Sequence, residues 1–483
     1  MSLLSQGAVL LALATIGLTG CALTPATDRH LSTIAVPTQW QSSYRTATRD
    51  EASLVQWWRQ FNDATLNQLI AESRRVSPDI RITISRVAES RARYGSEQAE
   101  LFPSVNGTIS GQGSKARNRQ TSQTTRAEVY GSSIDASWEI DLFGRIRQTV
   151  AAARADLAES EENLGNAQAT LAAEVASAYV AFRSYETQIS VLERSIKTRS
   201  QTLQLTEWRE KAGLASALDT QQSVSTLEQA RSALPALYEA LEQSRNKLAL
   251  LCGKVPGELD LLLTTKGSVP RAAVSIAIGI PADTLRQRPD IRAAERSLEA
   301  AVARTRAAEL RQFPSLSLSG SVGIEALSAG SLFSPQQSAV SLLVNLTAPI
   351  FNAGRIRSQI KIQSEQEEQA FIAYESAVLM ALSEVENALI SGQRNQERIT
   401  VLDRAVAAAR TAATLAEQQY QAGRVDLLVV LEAQRTLFSV EQQQVTTLAD
   451  LAEAHIQLYK AVGGGWTNFS LSNGNQTTLP PDV

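Results

Sequence analysis

Ser77-Pro78-Asp79-Ile80-Arg81 returns 211 residues later as Arg288-Pro289-Asp290-Ile291-Arg292, and this echo decides the fold. Leu101-Phe102-Pro103-Ser104 returns at the same offset as Gln312-Phe313-Pro314-Ser315. At offset 210, Gly144-Arg145-Ile146-Arg147 matches Gly354-Arg355-Ile356-Arg357, and Val191-Leu192-Glu193-Arg194 matches Val401-Leu402-Asp403-Arg404. Lys211-Ala212-Gly213 then matches Gln421-Ala422-Gly423, and Gly253 falls on Gly463. A register held over about 175 residues marks a tandem duplication. Each half reads as helix, two strands, very long helix, turn, helix.

The first helix of each half opens at Pro78 or Pro289, where a missing N–H costs nothing, and the following Asp suits the helix dipole. It closes at Phe102-Pro103 or Phe313-Pro314, because proline restricts the residue before it. Beyond those prolines the hydrophobic period drops from 3.6 to 2. Leu316, Leu318, Gly320, Val322 and Ile324 alternate with Ser317, Ser319, Ser321, Gly323 and Glu325. Val340, Leu342, Val344 and Leu346 alternate with Ser341, Leu343, Asn345 and Thr347. Tyr130, Ile134, Trp138 and Ile140 share one face, with Ser133, Asp135 and Ser137 on the other. Val105 to Gly113 is the weakest strand, and polar stretches at 114–126 and 327–337 read as loops. Alternation over about ten residues between polar loops is the signature of a transmembrane β-barrel. A soluble hairpin would show the same period.

From Ile146 to Ala212 there is no proline and a single glycine, Gly165. Val150, Leu157, Leu164, Leu171, Ala178, Tyr185 and Leu192 recur every seventh residue, and Val175, Phe182, Ile189, Ile196 and Leu203 form a second such series. The second half keeps the seam at Val385, Ile399, Leu402 and Val406. This is a coiled-coil pattern, and at 1.5 Å per residue the rod is ~100 Å long. Rods of that length pack on one another, not on a globular core.

Four strands cannot close a barrel in lipid, where the smallest spanning barrels have about eight. An open sheet would leave edge N–H and C=O groups in hydrocarbon at several kcal/mol each. Several chains must therefore share one barrel, and closed cyclic symmetry is the natural arrangement. The strand count leaves two, three or four copies open.

Ala8 to Leu18 is an apolar run broken only by Thr15, and Leu18-Thr19-Gly20-Cys21 follows. Such a run is too short to span a membrane and reads as a secretory signal. A Cys directly after Gly20 is similar to a bacterial lipobox, which would make Cys21 the acylated first residue of the mature chain. Residues 2–7 carry no Lys or Arg, a departure from the usual signal. Ala22, not Asp, follows the Cys, which points to the outer membrane. Cys252 is the only other cysteine, so no intramolecular disulfide is possible once Cys21 is acylated. No apolar run of eighteen residues follows Cys21, so any membrane crossing must use strands.

Rival classes find little material. Histidine occurs only as His30 and His455, and no P-loop, GxGxxG or HExxH occurs in a strand–helix setting, so we expect no enzyme and no cofactor. A formal net charge of -3 without a Lys/Arg block gives no reason to expect nucleic acid. A purely structural coiled-coil lipoprotein would leave the paired strands unexplained.

Trp57-Trp58-Arg59-Gln60-Phe61-Asn62-Asp63, Trp138-Glu139-Ile140-Asp141-Leu142-Phe143-Gly144-Arg145, Leu285-Arg286-Gln287-Arg288-Pro289-Asp290-Ile291-Arg292 and Leu431-Glu432-Ala433-Gln434-Arg435 carry a family resemblance. Together with the lipobox, they make the chain resemble the TolC-like outer-membrane factors of the OprM/NodT lipoprotein type. The resemblance implies an α+β membrane protein: a homotrimer whose twelve-stranded transmembrane β-barrel, four strands per chain, continues into a long periplasmic α-helical barrel. It implies a signal peptide at 1–20, a lipid-anchored and equatorial segment at 21–62, a first repeat at 63–253, an equatorial linker at 254–284, a second repeat at 285–463 and an equatorial tail at 464–483. The implied function is the exit duct of a tripartite efflux system, with a periplasmic adaptor, an inner-membrane pump and outer-membrane lipid as partners. A type I protein-secretion duct shares the fold and is the alternative. The resemblance places the adaptor-docking tips at Ala212, Gly213, Leu214, Ala215, Ala422, Gly423, Arg424 and Val425. It places a gate at Leu428 and Glu432, with Tyr420 bonding across to the neighbouring helix pair. Val429 stands where TolC relatives carry a further acid, so a doubled acidic ring is not implied.

Overall fold

Proline, capping residues and seven-residue seams set the boundaries of the elements. The computed structural model describes residues 37–41, 54–117, 119–120, 122, 124–264, 267–272, 281–331 and 338–466. Cys21, the signal segment and most of the tail after Gly465 lie outside the described residues. After a 3-10 turn at Trp57–Phe61, α1 spans Ala64–Val76 and α2 Pro78–Ala99. Strands β1 (Ser104–Arg117) and β2 (Thr124–Ile140) lead into α3 (Arg145–Lys211) and α4 (Ala217–Leu251). Two short helices, α5 (Asp260–Leu263) and α6 (Pro281–Gln287), precede the second half. That half comprises α7 (Pro289–Leu310), β3 (Ser315–Ala326), β4 (Ser338–Thr347), α8 (Arg355–Gln421) and α9 (Leu427–Ala461). The duplication is metrically exact: α2 and α7 have 22 residues each, α3 and α8 have 67, and α4 and α9 have 35.

The four strands form one antiparallel sheet in the order β1-β2-β3-β4. The two hairpins are thus joined through β2 and β3, although α3 to α7 lie between those strands in the chain. Strand β1 runs to Arg117 and β2 starts at Thr124, so residues 114–117 and 124–126 are paired strand and not loop. Polarity misleads there because cross-strand hydrogen bonds continue beyond the apolar band. No helix among the described residues is long and apolar enough to cross a membrane.

The core lies around the middle of α3, where Leu164, Leu171, Val175, Tyr179, Phe182 and Ile189 are buried. Trp57, Trp58 and Phe61, with Leu259, Leu263 and Val269, pack on the same cluster, and Trp57 stacks on Tyr459 of α9 at 5.3 Å. A polar pin fixes this belt to the rod. Asp63 caps α1 by accepting from Leu66 N at 3.0 Å and also accepts from the Tyr179 hydroxyl at 2.8 Å. Arg183 donates to Tyr179 Oη at 2.9 Å and pairs with Glu186 at 2.6 Å. Gly165 is glycine for close approach, since a Cβ there would meet the Trp466 ring at 2.8 Å. Away from this belt the long helices keep apolar side chains exposed, among them Ile372, Leu379, Met380 and Val401 of α8.

Candidate functional site

The sheet sorts most of its side chains by chemistry. Because antiparallel partners point to the same face, the register aligns Ile134 with Gly107, Val322 and Val340. It aligns Trp138 with Leu318 and Val344, and Ala136 with Val105, Gly320 and Leu342. The opposite face carries Ser104, Ser137, Ser319 and Leu343, then Asn106, Asp135, Ser321 and Ser341, then Thr108, Ser133 and Gly323. Leu343 is the large apolar exception on that face. Asp135 accepts from Ser133 at 2.7 Å and from Thr108 at 3.3 Å, so the polar face is knit by its own hydroxyls. From Ile140 to Tyr130 the strand rises by ten residues. At ~3.3 Å per residue and ~40° tilt, that covers ~25 Å, the height of an outer-membrane apolar band. Aromatics mark its helical end: Trp138 Nε1 donates to the Leu101 carbonyl at 3.0 Å, and Phe143 stacks on Phe313 at 5.0 Å.

The far ends of the long helices form two turns built alike. Ala212 is the C-cap of α3 and Ala422 that of α8; Gly213 and Gly423 follow at φ 71° and 70°, a conformation glycine adopts without Cβ strain. Gly213 N donates to the Glu210 carbonyl at 2.9 Å and Leu214 N to the Arg209 carbonyl at 2.7 Å. Gly423 N and Arg424 N repeat the pattern onto Tyr420 and Gln419 at 2.9 and 2.8 Å. Both are Schellman closures, which satisfy the last carbonyls of each rod. The turns differ on their exit side. Ser216 and Asp219 form a reciprocal capping box at the start of α4, whereas Asp426 caps α9 without a side-chain hydrogen bond. A capping interaction is worth ~1 kcal/mol, so the start of α9 lacks a stabilisation that the start of α4 has. Leu214 is exposed, as are Gly213, Gly423 and Arg424, while Ala215 is half-buried and Val425 leans on the local apolar cluster.

Tyr420 is 4% exposed, in a cluster with Ala416, Leu427 and Val430. Its hydroxyl shares a hydrogen bond with Thr206 of α3 at 3.3 Å, and Arg209 donates to its carbonyl at 2.5 Å. Just above, Gln434 of α9 donates to Thr202 of α3 at 2.8 Å. Arg410 of α8 holds Glu441 of α9 at 2.6 Å. The sequence reading names Gln434 only within the Leu431–Arg435 motif and does not single out Thr202, Thr206 or Arg209, although Arg209 stands in the last turn of its rod, where a cation suits the dipole.

Leu428 is 61% exposed, and Glu432 lies one turn further along the same side of α9. Together with Leu431, Arg435 and Phe438 they line a cleft facing Gln222, Thr226 and Ala230 of α4. Glu432 accepts from Arg435 of its own helix at 2.9 Å. The acid is therefore partly neutralised within the chain, an i,i+3 pairing that its spacing already permits.

Known proteins match along nearly the whole chain. The outer membrane efflux protein family matches it twice, over residues 69–254 and 280–464. The probable efflux pump outer membrane protein TtgC of Pseudomonas putida is 32% identical over 455 residues, covering 92% of this chain and 93% of the relative. The cation efflux system protein CusC of Escherichia coli is 31% identical over 457 residues, covering 93% and 97%. Among solved structures, the outer-membrane channel OprN superposes with a TM-score of 0.82 at 31% identity, covering 89% of this chain and 99% of that one.

Proposed function

Because the chain belongs to the outer membrane efflux protein family, we propose that it is the outer-membrane exit duct of a tripartite efflux system. It passes small molecules from an inner-membrane pump and its periplasmic adaptor to the exterior. The observation that carries this reading is the sheet's sorted register: one face suits hydrocarbon and the other water, and rods of 67 residues prolong the polar side into a duct. The relatives named above are efflux components, which favours this reading over the protein-secretion alternative. The test is single-channel recording in planar bilayers with purified protein. Folded, inserted protein without conductance would overturn it.

The free outer edges of β1 and β4 support assembly of several copies into one barrel. Three copies give twelve strands, an even number as in bacterial single-chain barrels. Exposed apolar side chains on α8 and α9 then meet neighbouring protomers. Light scattering corrected for detergent is expected to give a trimer, and a stable folded monomer would refute the shared barrel. Cys21, on the strength of its lipobox, carries the lipid that anchors the chain. Intact mass of exported protein showing an unmodified thiol at residue 21 would remove the anchor.

We infer three further roles for the ends of the rods from the family resemblance, which the exposure of the turns and of Leu428 supports. The two Schellman turns, Ala212 to Ala215 and Ala422 to Val425, dock the adaptor. Tyr420 latches the second turn to α3. Leu428 and Glu432, exposed on one side of α9, form an apolar ring and an acidic ring when three copies surround the axis. Such rings limit conduction by dewetting and favour cations.

A further inference from the structure

We propose that the outer end of the first hairpin holds a binding site for the phosphate of an anionic outer-leaflet lipid headgroup. The inference rests on the membrane-channel reading of the sheet and goes beyond it.

On the apolar face, the register past Tyr130 changes abruptly in chemistry. Gly113 pairs with Glu128, Lys115 pairs directly with Arg126, and Arg117 pairs with Thr124. These positions continue the face that carries Val105, Ile109, Ile134 and Tyr130 below them. Arg119 adds a fourth cation at the turn. Two like charges directly opposite one another across a strand pair are destabilising. None of the four takes part in an ion pair within the described residues. Glu128 is the only acid on this stretch of the face, and it accepts a hydrogen bond from the Tyr130 hydroxyl at 3.4 Å. With one acid against these cations, the stretch keeps a net positive charge, and no ion pair among the described residues balances it. The second hairpin has no equivalent, since β3 ends at Glu325-Ala326 and β4 begins at Ser338-Ala339.

Depth decides what meets these cations. The helices leave the sheet at Ser104 and Ile140, so Arg117 and Thr124 mark the end away from the periplasm. Lys115 and Arg126 stand four residues beyond the level of Tyr130. With the strand rise and tilt used above, that is ~10 Å past the apolar band, at the height of the lipid headgroups. Their aliphatic stems can lie along the band's upper edge while the charged ends reach the polar layer. A lysine and an arginine facing each other across one strand pair form a cradle for a phosphate, and arginine adds paired N–H donors. The position outside the barrel excludes transported solutes, and its contact with the lipid band selects a lipid-borne phosphate over a free one.

Native mass spectrometry of the full-length trimer tests the proposal, after extraction from phosphatidylcholine nanodiscs doped with diphosphoryl lipid A. Control discs hold an uncharged glycolipid of matched chains. We expect wild-type trimer to retain the phosphorylated lipid and not the uncharged one. Lys115→Gln combined with Arg126→Gln should weaken retention by about tenfold or more, since both cations facing the phosphate are lost. Lys115→Arg with Arg126→Lys should retain it as wild type does, which guards against a folding defect in the first pair. Equal retention of both lipids by wild type, or undiminished retention by the double glutamine variant, would overturn the site. Displacement of the lipid by inorganic phosphate at equal concentration would overturn the lipid as its ligand. Bilayer conductance of each variant is recorded alongside. Normal conductance without lipid retention sinks this inference alone, whereas absent conductance in wild type sinks the channel reading.

Discussion

Arg209 lies over the ring of Tyr420, 4.6 Å from its centroid, and donates to the carbonyl of that same residue. One side chain of the first repeat thereby grips both the aromatic face and the helix terminus of its counterpart in the second. Removing the grip should loosen the second turn before it affects the rest of the duct. Arg209→Ala loses a charge-assisted hydrogen bond and a cation–π contact, ~2–3 kcal/mol per chain. Tyr420→Phe loses only the hydroxyl shared with Thr206, ~1 kcal/mol. In bilayer recordings both variants should raise resting conductance, Arg209→Ala more. Unchanged conductance with a lower melting temperature would make the pair a packing element and not a latch.

The proposed rings at Leu428 and Glu432 predict separable steric and electrostatic effects. Leu428→Ala should widen the constriction and raise conductance, with little change in ion preference. Glu432→Gln should weaken cation preference at nearly constant volume. Arg435 pairs with Glu432 at 2.8 Å, so Arg435→Gln should strengthen cation preference by freeing the acid. Reversal potentials in a salt gradient measure both shifts. If Glu432→Gln and Arg435→Gln move them in the same direction, the acid does not face the conducting path.

Lipid exposure has a sharp internal control, because Leu318 and Ser319 are neighbours on opposite faces of β3. Leu318→Arg or Val344→Arg puts a charge against hydrocarbon and should cost ~2–4 kcal/mol per chain near the midplane. Ser319→Arg faces the water-filled side and should be tolerated. Yield of heat-resistant oligomer in outer-membrane fractions reads the difference. Equal yields would mean that the sheet is not embedded.

Acid should weaken the belt through His455. Burial pushes its imidazole down to about 4. Between the ordinary histidine value and that one, the unfolded chain takes up a proton that the folded chain refuses. Stability is therefore complete above about pH 6.5 and falls as pH drops, by ~3 kcal/mol per chain at the lower end of the window. His455→Gln should flatten this part of the profile, which thermal melts between about pH 7 and about pH 5 would show. An identical slope in the variant would assign the effect to other groups.

Much of this architecture was legible because local signals repeat. Pro78 and Pro289 open helices, Gly213 and Gly423 close them, and alternation such as Leu316-Ser317-Leu318-Ser319 fixes which way each strand faces. What escaped the sequence is contact between segments far apart in the chain. The chain from Asp63 through Tyr179 to Arg183 joins residues 116 positions apart, and Thr206 meets Tyr420 across 214. No period or spacing reports such pairs. Lys115, Arg117 and Arg126 were hidden for the opposite reason: polar residues in a row imitate a loop, even where backbone pairing continues through them.

The equal lengths of the paired rods constrain what the chain can tolerate. A hairpin with one extra residue in its outgoing rod would project 1.5 Å further and turn its seam by 100°. The two turns of one protomer would then present their tips at different heights and different angles to any partner docked across both. An insertion confined to one repeat is thus penalised twice, at the seam along the rod and at the rim beyond it. A matching insertion in both repeats would keep the rim flush but still break each seam, unless it added a whole seven-residue step. Length in this duct is therefore quantised, and a longer relative with the same tip geometry should differ in both repeats together, by whole heptads.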